Sequence, residues 1–206
     1  MLSYLIFGAS YAFAAAMQPG QLQAYLISRA IANGWRRTLP AALAPLLSDV
    51  PVIVLVLIVL TQVPPLFVNV LRLVGGVFLL YLAAGALRAS RAGESELARH
   101  ALPATAHRTF LEAVLVNVLN PNPYLGWALV LGPLLLEAWA KSPGAGIALL
   151  VAFYVTLVAA SAGIVMLFAL ARSLGPRVAR GLLGVSATAL AAFGAYQLWA
   201  GARALL

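Results

Sequence analysis

Long apolar runs follow one another along this chain, with short polar connections between most of them. A helix needs about 20 mostly apolar residues to cross a bilayer, and a mean hydropathy of +1.00 lies far outside the range of soluble globular domains. The runs therefore predict an all-α integral membrane protein, a single transmembrane domain of six helices surrounded by the lipid bilayer. The runs are Leu2–Ser28, Leu39–Leu60, Leu66–Arg88, Phe110–Leu136, Gly146–Arg172 and Val178–Arg203.

Basic residues indicate how these runs are oriented. Arginines cluster after the first, third and fifth runs, whereas the opposite face holds Lys141 and Arg203, with Arg72 near the start of the third run. Cytoplasmic loops carry an excess of Lys and Arg, so we expect the three basic loops in the cytoplasm and both termini outside. The net charge of +8 is thus a topology signal, and no nucleic-acid partner is expected. The arginines of these loops are Arg29, Arg36, Arg37, Arg88, Arg91, Arg99, Arg108, Arg172, Arg177 and Arg180.

One long connection, the cytoplasmic linker at residues 89–109, divides the chain into halves. Repeat one covers residues 1–88 and repeat two covers residues 110–206, and each holds three of the apolar runs. Because three is an odd number, homologous halves would cross the membrane in opposite senses. The division therefore predicts two inverted three-helix repeats.

Two internal matches support this inverted repeat. Gln18-Pro19-Gly20 in the first run corresponds to Asn120-Pro121-Asn122-Pro123 in the fourth, and Gly76–Tyr81 in the third run corresponds to Gly194–Trp199 in the sixth. Proline removes a backbone donor and clashes with the preceding turn, so the first and fourth helices should be broken. Apolar sequences of low complexity also match by chance, which makes the glycine match the weaker of the two.

The two breaks form the predicted substrate-binding region. Freed backbone groups are tolerated in hydrocarbon only where they are buried in protein or line a cavity. A half-helix that begins at a proline also directs unpaired N–H groups and a positive dipole end at anionic groups. We expect two such ends at one midplane cavity; the alternative is two kinks filled by neighbouring side chains. The predicted binding residues are Gln18, Pro19, Gly20, Gln21, Asn117, Asn120, Pro121, Asn122, Pro123 and Tyr154.

Two acidic residues are the predicted proton-coupling sites. Asp49 lies near the middle of the second run, where a charge is costly and usually serves ion or substrate movement, and loss of water favours a protonated carboxyl group. The alternatives are a structural hydrogen bond to the proline-kinked backbone or a salt bridge to Arg72. Glu112 begins the fourth run, and its alternative is an ion pair with Arg108 at the cytoplasmic surface.

Neither a catalytic site nor a metal or cofactor is expected. The chain has no cysteine, the spacing of His100 and His107 fits no metal-binding motif, and Ser48 has no histidine within the apolar runs to act as its base. The alternatives to a transporter are a small-solute channel, which would need a continuous polar lining, and a structural membrane subunit. A small-residue series suited to a homodimer contact is Gly181, Gly184, Ala187 and Ala191.

A series of short motifs runs in order along nearly the whole chain. It consists of Asn33-Gly34 with Arg36 and Arg37, then Asp49, then Gly75-Gly76 with Tyr81, Leu82 and Gly85, and then Asn120-Pro121. The series resembles the LysE/RhtB family of amino-acid exporters. The resemblance implies six helices in two inverted repeats and export of amino acids or related small metabolites from the bacterial cytoplasm, through the inner membrane, coupled to proton entry.

Two departures from the family pattern concern the substrate. Gln21 stands where the family usually has a proline after Pro-Gly, and Asn122 stands where a lysine is common after Asn-Pro. The missing cation removes one partner for a substrate carboxylate, so the sequence leaves the substrate unnamed.

Overall fold

The computed structural model describes residues 1–18, 20–59, 65–91, 105–171 and 175–204, which form helices with short connections and no strand. Pro19, Leu60, Arg172 and residues 92–104 of the linker lie outside the described residues. The helices are α1 (Leu2–Met17), α2 (Gln21–Asn33), α3 (Trp35–Thr38) with a 3₁₀ turn (Leu39–Leu43), α4 (Ala44–Val59), α5 (Pro65–Arg91), α6 (Ala106–Val118), α7 (Pro121–Gly126) with a π-helical turn (Trp127–Leu131), α8 (Gly132–Lys141), α9 (Pro143–Ala171) and α10 (Pro176–Arg203).

Within these described ranges, four helical stretches are long and apolar enough to cross a membrane. They correspond to the second, fourth, fifth and sixth predicted runs and confirm an all-helical membrane protein. The first run is interrupted, so α1 and α2 have only 16 and 13 residues. Helix α5 has 27 residues but is not among the four, and the count of six spans therefore stays a prediction. The four stretches are Trp35–Val56, Pro121–Lys141, Pro143–Ala171 and Arg180–Arg203.

The first helix is interrupted between α1 and α2. Gln18 and Gly20 both have extended backbone conformations, and α2 begins directly afterwards at Gln21. No side chain caps the start of α2. The first N–H groups of a helix have no intrahelical partner, so this end presents unpaired donors to its surroundings.

The fourth helix is interrupted between α6 and α7, and here side chains satisfy the freed groups. Asn120 Oδ1 accepts a hydrogen bond from the Asn122 backbone N–H at 3.1 Å, and Pro121 begins α7, where no donor is needed. The Tyr124 hydroxyl donates to the Val118 carbonyl at 3.0 Å. That carbonyl would otherwise accept from Asn122 in a continuous helix, so Tyr124 replaces the bond that the break removes.

The helices pack in three main pairs around two hydrophobic cores. Helix α1 lies along α9, α5 lies along α10, and α4 with the 3₁₀ turn before it lies along α6. One core is built from α1, α4, α7, α8 and α9. The other is built mainly from α2, α5, α6 and α10.

The pair α5 and α10 crosses at two glycines. A Cβ on Gly76 would lie 2.8 Å from the Gly194 carbonyl oxygen and from Leu198, and a Cβ on Gly194 would lie 3.0 Å from the Gly76 carbonyl oxygen and from Leu80. Each glycine therefore packs against the backbone of the other glycine and against the leucine that follows that other glycine by four residues. The two helices run antiparallel, since Gly201, further along α10, lies against residues that precede Gly76 on α5.

Candidate functional site

Asp49 is buried on α4 and is held by three neutral donors. Its side chain is 3% exposed. Asn117 Nδ2, on α6, donates to Oδ1 at 3.0 Å, while the Tyr154 hydroxyl on α9 and the Trp127 indole N–H lie 3.2 and 3.5 Å from Oδ2. Donors from α6, α9 and the π-helical turn thus converge on one carboxylate of α4.

The two structural alternatives for Asp49 are not what is observed. Arg72 donates to Asn69 at 3.3 Å, and no Lys or Arg in the described part of the chain lies within ion-pair distance of Asp49. The backbone bond at this point belongs to the neighbouring Ser48, whose hydroxyl donates to the Ala44 carbonyl at 3.0 Å and accepts from Asn117 at 2.7 Å. The Asp49 carboxylate therefore has hydrogen bonds but no counter-ion from the described chain.

A cavity of about 140 Å³ lies beside Asp49, where the two hydrophobic cores meet. Its wall brings together both helix breaks, which are about 100 residues apart in the sequence. Asp49 itself lines it. The predicted binding residues that line the cavity are Gln18, Gly20, Asn117, Asn120, Asn122 and Pro123.

The remaining predicted residues occupy other places. Pro19 lies outside the described residues, and Pro121 is buried at the start of α7. Tyr154 reaches the site through its hydrogen bond to Asp49, not as part of the cavity wall. Gln21 is buried without lining the cavity, and its Oε1 has no hydrogen-bond partner.

Aromatic residues complete the cavity wall. Phe153 contacts three other rings: its ring centroid lies 5.9 Å from that of Trp127, 6.3 Å from that of Tyr11 and 5.0 Å from that of Tyr154. Sequence reasoning did not select Tyr11 or Phe153, because an aromatic residue inside an apolar run looks the same whether it faces lipid, core or cavity. The one signal was position: Tyr11 precedes the first break by two helical turns, and Phe153 adjoins Tyr154.

Glu112 lies away from the cavity in a charged cluster. Its side chain is 14% exposed and accepts from Arg29 at 2.6 Å, from Arg108 at 2.9 Å and from the Tyr25 hydroxyl at 2.8 Å. The pairing with Arg108 is the alternative noted from the sequence. The hydrogen bond that Arg108 donates to Glu112 raises the pKa of the Arg108 guanidinium above its usual value.

An all-helical membrane protein with a polar cavity between interrupted helices has the architecture of a transporter for small solutes. The family model of the LysE type translocator matches residues 13–201, and the chain belongs to that family. No curated protein and no solved structure matches the chain. The family match confirms the resemblance seen in the sequence and makes the protein an integral membrane transporter for efflux of amino acids or other small solutes, not an enzyme.

Proposed function

We propose that this protein exports amino acids or related small metabolites from the cytoplasm by proton antiport, with the substrate bound in the cavity between the two broken helices. The observation that carries the proposal is Asp49. Among the described residues that line the cavity it is the one carboxylate, it is buried, and the described chain offers it no counter-ion. Such a group is stable either with a proton or beside a bound cation.

Antiport requires that the proton and the substrate do not occupy the carrier together. In the proposed cycle, Asp49 binds a proton from the periplasmic side, access alternates, and substrate entering from the cytoplasm displaces the proton. Tyr154, Trp127 and Asn117 donate to the ionised carboxylate, which lowers the cost of that state while the substrate is bound. The predicted coupling role of Glu112 stays a prediction, and Glu112→Gln in the assay below tests it.

We propose six spans in two inverted repeats, residues 1–88 and 110–206, joined by the linker at 89–109. The packing supports this arrangement. In an inverted repeat the first span corresponds to the fourth, the second to the fifth and the third to the sixth. The packed pair α1 and α9 is then the counterpart of the packed pair α6 and α4. The pair α5 and α10 is its own counterpart, because the two helices exchange places. The reciprocal contact of Gly76 and Gly194 is what a two-fold axis between α5 and α10 would produce.

The proposed orientation puts the linker in the cytoplasm and both termini in the periplasm of a bacterium, with the protein in the inner membrane. Because the chain has no cysteine, single introduced thiols report sidedness directly. An impermeant maleimide added to whole cells should label Ser3→Cys and should leave Ser95→Cys unlabelled. The reverse pattern would contradict the orientation.

A homodimer belongs to the same proposal, in a narrower form than the sequence suggested. Gly181 and Gly184 face open space, since a Cβ on either would meet nothing within 4 Å. Ala187 is buried within the protomer, so it is not available to a partner. Cross-linking of Gly181→Cys in membranes would test the contact.

The transport proposal is tested in proteoliposomes that carry an imposed pH gradient. Wild-type protein should move amino acids against the proton flow, and Asp49→Asn should lose this gradient-driven transport. Glu94→Gln is the matched control, because it removes a carboxylate from the linker, and it should transport as the wild type does. Gradient-driven transport that survives in Asp49→Asn would remove Asp49 from the mechanism, and gradient-independent flux at channel-like rates would favour a channel.

A further inference from the structure

We infer that the cavity recognises its substrate through the ammonium group, which binds at Asp49, so that an analogue with a blocked amine is not recognised. This inference rests on the proposed function, and it names the part of the substrate that the same site binds. Asp49 is the only charged side chain among the described residues that line the cavity. Two arginines are already engaged elsewhere, Arg29 with Glu112 and Arg72 with Asn69.

The electrostatics of this wall favour a cation. Opposite charges attract strongly where water is excluded, and like charges repel to the same degree. A bound ammonium group beside Asp49 would supply the missing counter-ion, whereas a substrate that offered only a carboxylate would face a buried charge of the same sign. The three donors already on Asp49 leave lone pairs of the carboxylate free, since an ionised carboxylate accepts about four hydrogen bonds.

The aromatic residues fit the same group. Trp127, Phe153 and Tyr11 line the cavity, the Phe153 ring packs against both other rings, and the Trp127 indole N–H lies 3.5 Å from the carboxylate. Aromatic faces attract cations, and Trp does so best. The volume of about 140 Å³ is close to that of an engineered cavity of about 150 Å³ that holds benzene, which suits a cargo of few heavy atoms.

Ligand-induced thermal stabilisation of the purified protein tests this inference without measuring transport. The probes are L-alanine, L-lysine, ethylamine and N-acetyl-L-alanine. Alanine, lysine or ethylamine should raise the melting temperature, and N-acetyl-L-alanine should need at least a tenfold higher concentration for the same rise. The stabilisation should be lost in Asp49→Asn.

The inference is overturned if N-acetyl-L-alanine stabilises the wild type as well as alanine does, or if none of the ammonium compounds stabilises it. The comparison within the wild type stands even if Asp49→Asn fails to fold. Its failure is also distinct from failure of the proposed function. Ammonium-selective binding without gradient-driven flux would leave the inference in place and refute antiport, and the converse result would do the opposite.

A second inference rests on a different observation, a pair of charged clusters that bracket the cavity. The Glu112 cluster consists of Tyr25, Arg29, Arg108 and Glu112, and the Glu137 cluster consists of Tyr4, Glu137 and Lys141. In the Glu137 cluster, the Tyr4 hydroxyl donates to Glu137 at 3.1 Å, Lys141 pairs with Glu137 at 2.8 Å, and the Lys141 ammonium lies 5.2 Å from the centre of the Tyr4 ring. Each cluster therefore combines a tyrosine, a glutamate and a cation.

The clusters lie on opposite sides of the cavity and on the same two broken helices. Tyr4 precedes the cavity residue Tyr11 by seven residues, and Arg29 follows the cavity residue Leu22 by seven, which is roughly 10 Å of helix in each direction. On the fourth helix the order is reversed, with Glu112 before the cavity and Glu137 after it. Each cluster thus ties one end of the first helix to one end of the fourth.

We infer that these two clusters are the gates of the transporter, one on each side of the bound substrate. They differ in strength. The Glu112 cluster crosses between the helices with the ion pair Arg29–Glu112 and with Tyr25, which is 1% exposed. The Glu137 cluster crosses through the Tyr4 hydroxyl and the Lys141 ammonium over the Tyr4 ring, and its ion pair lies within α8 with Glu137 58% exposed. The conformation described here is therefore held more firmly at the Glu112 side, which the proposed topology places in the cytoplasm.

Thiol accessibility tests the gates independently of transport. Because the native chain lacks cysteine, Ala15→Cys supplies a single thiol on the cavity wall. In inverted membrane vesicles, Glu112→Gln should raise the rate at which an impermeant maleimide labels this thiol severalfold, and Tyr25→Phe should raise it less. In right-side-out vesicles, Glu137→Gln should raise it. Arg36→Gln, on α3 outside both clusters, is the matched control and should leave both rates unchanged.

Unchanged labelling in Glu112→Gln and Tyr25→Phe would overturn the gate at the Glu112 side. An increase in Glu112→Gln from both sides equally would also overturn it, because that result indicates general loosening. Tyr25→Phe keeps the ion pair and the ring, so it tests the gate even if Glu112→Gln fails to fold.

Discussion

The crossing of α5 and α10 allows the fold to be tested with a single methyl group. In Gly76→Ala the new Cβ would lie 2.8 Å from the Gly194 carbonyl oxygen, where ordinary contact begins at 3.4 Å, so the helices must separate by about 0.6 Å. Overpacking of this kind costs about 1–3 kcal/mol, and the better helix propensity of alanine offsets about 1 kcal/mol. We expect a net loss of about 0–2 kcal/mol in the free energy of unfolding.

Gly85→Ala is the matched control for this substitution. Gly85 lies on α5, the same helix as Gly76, and a Cβ there would meet nothing within 4 Å, so the variant has the propensity gain without the clash. The difference in the free energy of unfolding between Gly76→Ala and Gly85→Ala should therefore be about 1–3 kcal/mol. Unfolding in an SDS titration, followed by circular dichroism of the detergent-purified protein, measures both.

The reciprocal contact makes a sharper prediction. Gly194→Ala should cost about as much as Gly76→Ala, and the double variant should cost less than the sum, because the first methyl group has already separated the helices. Equal stability of Gly76→Ala and Gly85→Ala would refute the crossing, and full additivity of Gly76→Ala and Gly194→Ala would refute the shared contact.

Two further substitutions test the site. Tyr154→Phe removes the donor to Asp49 and keeps the ring against Phe153. Because a hydrogen bond to a charged group is worth about 1.5–3 kcal/mol, the half-saturating substrate concentration should rise about tenfold or more. Unchanged transport kinetics in proteoliposomes would contradict this. Asn120→Ala removes the cap of α7 and should lower the free energy of unfolding by about 1 kcal/mol, whereas Asn120→Asp should keep the cap; equal SDS midpoints for both variants would argue against the capping role.

The helices and their interruptions were predictable because their causes are local. Apolar runs long enough to span the membrane became helices, and the breaks fell where Pro121 and the segment around Gly20 had been expected to place them. The boundary differences are small and sit at the run ends. The fate of the freed backbone was not predictable, since the Tyr124 hydroxyl that replaces a bond across the second break comes from the next turn of an irregular stretch.

The candidate site was predictable in its acid and its breaks, but not in its aromatic wall. Asp49 was conspicuous because a charge inside an apolar run is rare. Tyr11 and Phe153 carried no such signal. The same rule selected Glu112, which the structure places in an ion-paired cluster with Arg29 and Arg108 and not on the cavity wall. Its coupling role stays a prediction.

The sequence by itself determined that this protein is a helical membrane protein, where its helices break, and which family of translocators it belongs to, because run length, proline and short motifs act over a few residues. The tertiary structure alone decided that both breaks face one cavity, and that Asn117, Trp127 and Tyr154 converge on Asp49 from positions 68, 78 and 105 residues away. Such meetings depend on how whole helices pack. No local pattern encodes which side chains a packed neighbour will present.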